Sequence, residues 1–60
     1  MEINTTEEAI KVLTEQRGFD VENINVFKWR ISDEEFKEEL KTDEELIFFA
    51  REQAKEIEED

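Results

Sequence analysis

The side chains of this chain that could do chemistry are almost all carboxylates. The sequence holds 19 Asp and Glu residues against 8 Lys and Arg, with no Cys, His or Tyr. There is thus no thiol to act as a nucleophile, and a serine hydroxyl needs a base beside it to be activated. General acid–base catalysis needs a carboxyl group whose pKa is raised by burial in a pocket. The carboxylates here lie in densely acidic segments with no sign of a cleft, so we predict no enzymatic activity and no catalytic residue.

Metal and cofactor chemistry finds no better support in the sequence. Without Cys and His, only oxygen ligands remain, and these suit hard cations such as Ca²⁺ or Mg²⁺. No spacing of the acidic residues matches a calcium-binding loop with its central glycine. The single glycine, Gly18, does not belong to a glycine-rich phosphate loop before a helix. We therefore predict no metal site and no cofactor.

The acidic residues are concentrated in the second half of the chain. Residues 32–60 contain thirteen acidic and four basic residues, whereas residues 1–31 contain six and four. A field this negative repels nucleic-acid phosphates and anionic membranes and attracts basic surfaces. We predict a non-catalytic interaction protein whose partner is a basic or nucleic-acid-binding protein, with direct binding of nucleic acid disfavoured. A purely solubilising role of the acidic residues fits the composition as well.

The predicted partner-binding site combines carboxylates with one aromatic ring. Phe48 lies almost opposite the apolar stripe of the last predicted helix, which would leave its ring exposed as an apolar anchor. The charged members of the site are Glu34, Glu38, Glu45 and Glu52. In composition (short, very acidic and without Cys) the chain resembles small phage-encoded inhibitors that mimic nucleic acid. Mimicry by an inhibitor from a phage or plasmid is the sharpest form of this hypothesis.

A second constellation consists of Lys28 and Arg30 on either side of Trp29. A strand would place the two basic residues on one face and Trp29 on the other. The order of one strand followed by two helices, over residues 24–57, resembles the ribbon-helix-helix family of DNA-binding proteins. The resemblance implies that two chains pair one strand each and present Lys28 and Arg30 to the major groove. The alternative is that these residues form ion pairs with the chain's own acidic side chains.

These residues need a framework, and the first helix is the clearest part of it. The residues from Thr5 to Glu8 match a capping box, and apolar residues follow at helical spacing. Gly18 is the natural left-handed residue at the end of such a helix. The pattern predicts a helix over residues 6–17.

The rest of the chain suggests one strand and two more helices. β-branched and aromatic residues favour a strand over residues 24–31, or a short hairpin with a second strand near residues 19–21. Cap patterns at Ser32 and Thr42 predict helices over residues 33–40 and 43–57, with a frayed acidic tail at 58–60. The prediction is a single small α+β domain over residues 1–60. The alternative is an all-α bundle of three or four helices.

Stability and location follow from size and composition. A domain of 60 residues buries only about 60% of its unfolded surface, and this one has no disulfide to reinforce it. We therefore predict a homodimer, formed by pairing the Ile24–Ile31 strands of two copies. No apolar run approaches the roughly 20 residues of a membrane span, and no signal-peptide pattern is present. We expect a cytoplasmic protein that does not bind membranes.

Overall fold

A computed structural model describes residues 2–25, 28–35 and 37–59 of the chain, with side chains described through Ile57. Two helices pack on one face of a three-stranded antiparallel sheet, so the predicted α+β class is confirmed and the all-α alternative is wrong. In chain order the elements are α1 (Thr6–Lys11), a π-helical continuation (Val12–Gln16), β1 (Asp20–Asn25), β2 (Lys28–Ser32), β3 (Lys37–Leu40) and α2 (Asp43–Glu59).

Helix α1 begins as its capping box predicts. The Thr5 hydroxyl oxygen accepts a hydrogen bond from the Glu8 backbone N–H at 3.1 Å. The Glu8 carboxylate reaches back to accept from the Asn4 backbone N–H at 3.3 Å. These bonds satisfy backbone donors that have no partner inside the helix.

The end of the first helix also agrees with the prediction, although its winding does not. The Arg17 backbone N–H donates to the Val12 carbonyl at 3.3 Å, a bond five residues long that defines a π-helical turn. Gly18 then adopts a left-handed conformation with φ of 72°. The Phe19 N–H donates to the Leu13 carbonyl at 2.9 Å and closes the helix end.

The stretch predicted as one strand over residues 24–31 is divided between two strands. β1 and β2 pair antiparallel, with Val21 opposite Ile31. The register shifts between Asn23 and Asn25, which indicates a bulge in β1. The prediction of a single strand is therefore wrong. The hairpin alternative is right in having two paired strands, but its first strand runs over Asp20–Asn25 and not only near residues 19–21. Val26 and Phe27 lie outside the described residues.

The predicted helix over residues 33–40 is wrong. Lys37–Leu40 forms the third strand of the sheet and pairs with β2. Ser32, predicted to cap a helix, pairs with Lys37 in the sheet instead. A two-turn helix with one narrow apolar stripe is marginal by itself, whereas a third strand satisfies the backbone groups along the second edge of β2. Phe36, within the range of that predicted helix, lies outside the described residues.

Helix α2 follows the third cap pattern. The Thr42 hydroxyl accepts from the Glu45 backbone N–H at 3.1 Å, and the Glu45 carboxylate accepts from the Lys41 backbone N–H at 2.7 Å. The helix runs through Asp43–Glu59, so its backbone stays helical over two of the three residues, 58–60, that were predicted to fray. The third residue lies outside the described part of the chain.

The core lies between the two helices and the inner face of the sheet. The Phe19 and Phe49 rings approach with centroids 6.2 Å apart. Arg51 on α2 donates to the Ile3 carbonyl at 2.9 Å and to the Asn4 side chain at 3.3 Å, which fixes the segment before α1. The buried apolar residues are Ile3, Ala9, Val12, Leu13, Phe19, Ile31, Leu40, Leu46, Ala50 and Ala54.

The two faces of the sheet have different compositions. Trp29 and Ile31 face the helices, and Ile31 is fully buried, as the predicted alternation requires. On each strand, the residues that alternate with the inward-facing ones point to the outer face of the sheet. The charges on this face balance, with three acidic and three basic side chains. These side chains are Asp20, Glu22 and Glu39 with Lys28, Arg30 and Lys37. The acidic excess of the chain therefore lies elsewhere.

The position of β2 restricts the predicted dimer. This strand pairs with β1 on one side and β3 on the other, so it has no edge left for a second chain. Among the described residues only β1 and β3 have an unpaired edge. Homodimerisation stays a prediction, and strand pairing through β2 is no longer a route to it.

Candidate functional site: an acidic groove beside strand β3

A groove of about 500 Å³ lies between β3 and the first half of α2. We call it the β3–α2 groove. Its apolar surface comes from Leu40, Phe48 and Phe49. Its acidic side chains are Glu38, Glu39, Glu45 and Glu52, with Lys41 as the one basic lining residue. The groove thus joins an apolar floor to a strongly acidic rim.

Helix α2 places half of these residues on one face. Glu45, Phe48, Phe49 and Glu52 follow the i, i+3, i+4, i+7 spacing that aligns side chains along a helix. The backbone positions of Glu45 and Glu52 are separated by about 10 Å, two helical turns. Phe49 is turned toward the core, whereas Phe48 is 63% exposed and is the one large exposed apolar side chain among the described residues.

Strand β3 supplies the other wall. Glu38 and Glu39 are consecutive in the strand, so their side chains point to opposite faces of the sheet, yet both line the groove. This indicates that the groove runs along the outer edge of β3. Within the described ranges that edge has no strand beside it, so its backbone donors and acceptors are available for hydrogen bonding.

Contacts between the sheet and α2 fix the two walls relative to each other. The Trp29 indole N–H donates to the Asp43 carboxylate at 2.8 Å and links β2 to the first turn of α2. Farther along the helix, Phe49 packs against Phe19. The contact between Trp29 and Asp43 was not predicted from the sequence. A strand tryptophan that needs a partner for its N–H, together with acidic residues at a helix start, was the available signal.

The carboxylates of the groove differ in how they are engaged. Glu45 already accepts a hydrogen bond from the Lys41 backbone, as part of the helix cap. Glu39 forms an ion pair with Arg30 at 3.5 Å. Glu38 and Glu52 are exposed and have no ion-pair partner among the described residues. These two carboxylates are therefore the most available to an external cation.

Four of the five residues predicted for the partner site lie together. Glu38, Glu45, Phe48 and Glu52 all line the β3–α2 groove. Glu34 does not, because it lies exposed in the connection that follows β2. Glu38 reaches the groove from a strand and not from the helix on which the sequence placed it.

Half of the residues that line the groove were not predicted from the sequence. Glu39, Leu40, Lys41 and Phe49 line the groove but were not predicted as site residues. For the first two, the reason is the wrong helix prediction, which hid the edge of β3. Phe49 also packs against the core.

Lys28 and Arg30 lie on the outer face of the sheet, away from the groove. Arg30 pairs with Glu39, with 38% and 53% of the two side chains exposed, which fits the predicted alternative of ion pairs within the chain. The resemblance to ribbon-helix-helix proteins required a helix after the strand, and β3 takes that place. The DNA-binding role of Lys28 and Arg30 therefore lacks the framework on which it depended.

Other features of the described residues add little to the candidate site. No group of three or more acidic side chains in the described ranges is placed to hold a metal ion. Neither of the helices described is long and apolar enough to cross a membrane. A second groove, of about 520 Å³, lies beside α1, but no aromatic side chain is among its described lining.

Comparisons of the chain with protein-family models, with curated proteins and with solved structures found no match.

Proposed function

We propose that this protein is a non-catalytic interaction module that binds a basic protein surface through the β3–α2 groove. One observation carries the proposal. The carboxylates of Glu38, Glu45 and Glu52, chosen from the sequence for charge, line the same groove as the exposed ring of Phe48.

The two kinds of side chain have complementary roles in such binding. Carboxylates attract and orient a basic partner, while a desolvated aromatic ring contributes more of the affinity. Lys and Arg side chains suit this combination, because their aliphatic stems can cover the Phe48 ring while their charged ends reach the rim. The partner surface should therefore present Lys and Arg around a small apolar contact.

The sharpest form of the proposal is an inhibitor encoded by a phage or another mobile element. Its carboxylates would occupy the positions that phosphates take on a nucleic-acid-binding protein, and so compete with nucleic acid. This form places the protein in the cytoplasm, where such partners act. It adds a prediction that the partner's basic site, once occupied, no longer binds DNA or RNA.

Selection of peptides from a random library tests the proposal and does not require an identified partner. Three proteins are compared: the wild type, a groove variant and a control variant. Each variant replaces three exposed carboxylates by amides of similar volume. The groove variant carries Glu38→Gln, Glu45→Gln and Glu52→Gln, and the control variant carries Glu2→Gln, Glu7→Gln and Glu15→Gln.

We expect the wild type to select peptides rich in Lys and Arg. The control variant should bind them within about twofold of the wild-type affinity. The groove variant should bind them at least tenfold more weakly, since several charge contacts, each worth up to about 1 kcal/mol, are lost together. The Glu45→Gln change keeps the cap of α2, because glutamine also serves in a capping box. Equal weakening in both variants would assign the binding to net charge alone and contradict the proposal.

A further inference from the structure

We infer that the occupant of the β3–α2 groove is an extended basic segment that adds a fourth strand to the sheet along β3. This inference rests on the proposed function and deepens it, because it specifies the conformation of the bound partner and the backbone contacts that hold it.

The groove lies along a strand edge. β3 is the last strand in the order β1–β2–β3, and only β2 pairs with it among the described residues. The groove touches both Glu38 and Glu39, which belong to opposite faces of the strand. An open strand edge with a helix beside it suits strand addition, in which main-chain hydrogen bonds supply affinity and alternate side chains supply specificity.

The two faces of an added strand would meet different side chains. Side chains of one parity would point toward α2, onto Leu40 and Phe48 and between the carboxylates of Glu45 and Glu52. Side chains of the other parity would lie on the outer face, which is balanced in charge. The favoured segment therefore alternates Lys or Arg, facing the groove, with small neutral residues.

Charge distinguishes a basic partner from a second copy of this chain as the occupant of the groove. A second copy would bring a net charge of −11 and place its own Glu38 and Glu39 near those of β3. Like charges facing each other across paired strands are destabilising. Charged side chains on an edge strand block unwanted pairing. The acidic side chains along the groove, Glu38, Glu45 and Glu52, together with the net charge of −11, thus disfavour a second copy and favour a strand of opposite charge.

Backbone-methylated peptides test the inference. The parent peptide has nine residues, with threonine at odd positions and arginine at even positions. Methylation of alternate backbone amides blocks hydrogen bonding on one side of an extended strand. Two peptides carry three methyl groups on one side or the other, and a fourth peptide carries both sets. A shift of the peptide by one residue along β3 would turn its arginine side chains away from α2. Such a shift is therefore not tolerated, and the two hydrogen-bonding sides of the peptide stay distinct.

We expect the parent peptide to bind the wild-type protein and to bind the groove variant at least tenfold more weakly. At least one peptide methylated on a single side should keep its affinity within about threefold, because its methyl groups can face solvent. The peptide methylated on both sides should lose at least tenfold, although its charge is unchanged.

The outcomes separate the two proposals. If the peptide methylated on both sides binds like its parent and still needs the groove, strand addition is wrong and the proposed function stands. If the parent peptide fails to bind, or binds the groove variant as tightly as the wild type, both proposals are wrong. Sedimentation velocity completes the test: a dimer that the parent peptide dissociates would assign the β3 edge to a second copy and overturn the choice of a basic segment as its occupant.

Discussion

Phe48 and Phe49 are adjacent in α2 but have opposite surroundings. Phe48 is 63% exposed over the groove, whereas Phe49 is half-buried and packs against Phe19. An exposed ring adds little to folding and is available to a partner, while a packed ring mainly stabilises the fold. This pair of neighbours separates binding from stability at the level of single residues.

Replacing each ring by a methyl group should therefore have different effects. For Phe48→Ala we expect the affinity for basic peptides to fall about tenfold, with the free energy of unfolding changed by less than about 0.5 kcal/mol. For Phe49→Ala we expect a loss of about 2–3 kcal/mol in the free energy of unfolding, since its contacts with the core are lost. Urea denaturation and calorimetric titration measure the two quantities. A Phe48→Ala protein that binds as tightly as the wild type would remove the apolar anchor from the proposal.

At the scale of elements, the contact between Trp29 and Asp43 joins the sheet to α2. The indole N–H donates to a carboxylate at 2.8 Å, and a hydrogen bond to a charged group contributes about 1.5–3 kcal/mol. The bond is exposed to solvent, so for Trp29→Phe we expect the free energy of unfolding to fall by about 1 kcal/mol. For Asp43→Asn we expect a smaller loss, because the amide oxygen still accepts. If Trp29→Phe unfolds at the same urea concentration as the wild type, the contact does not hold the two elements together.

The elements that could be predicted are those fixed by local bonds. The cap at Thr5, the cap at Thr42 and the left-handed Gly18 each depend on residues within a few positions, and all three are as predicted. Ser32 begins a similar cap pattern, but no long apolar stripe follows it to bury a helix. The pairing of Lys37–Leu40 with β2 depends on a partner that local patterns do not specify.

The residues of the candidate site also divide into those that local spacing could predict and those that it could not. Glu45, Phe48 and Glu52 could be grouped because helical spacing in α2 puts them on one face. Glu34 was grouped with them on a helix that does not form. The contribution of Glu39, and the open edge along which it lies, could not be predicted without knowing that β3 is a strand.

At the scale of the whole molecule, the net charge of −11 acts on folding and on binding in opposite directions. Repulsion among the acidic side chains destabilises the compact state, and salt screens that repulsion. Attraction between the groove and a basic peptide is screened by the same ions. Salt should therefore stabilise the protein while it weakens the complex.

We expect an increase from about 20 mM to about 500 mM NaCl to raise the midpoint of thermal unfolding by roughly 4–8 °C, which corresponds to about 1 kcal/mol for a domain of this size. The affinity for the alternating arginine peptide should fall at least tenfold over the same range. Thermal denaturation followed by circular dichroism, and titration in the same buffers, measure both. A midpoint that falls with salt would mean that favourable ion pairs, such as that of Arg30 with Glu39, outweigh the general repulsion.

The balanced charges on the outer face of the sheet affect how the molecule is oriented as it approaches a charged surface. With three acidic and three basic side chains there, the entire net charge of −11 is carried by the rest of the chain. Such a one-sided distribution gives the molecule an electric dipole moment, and the field of a basic surface exerts a torque on it. A molecule that approaches with its sheet forward is turned until its helical side leads. A basic partner of the kind proposed would therefore meet the helical side first, before any shape is recognised.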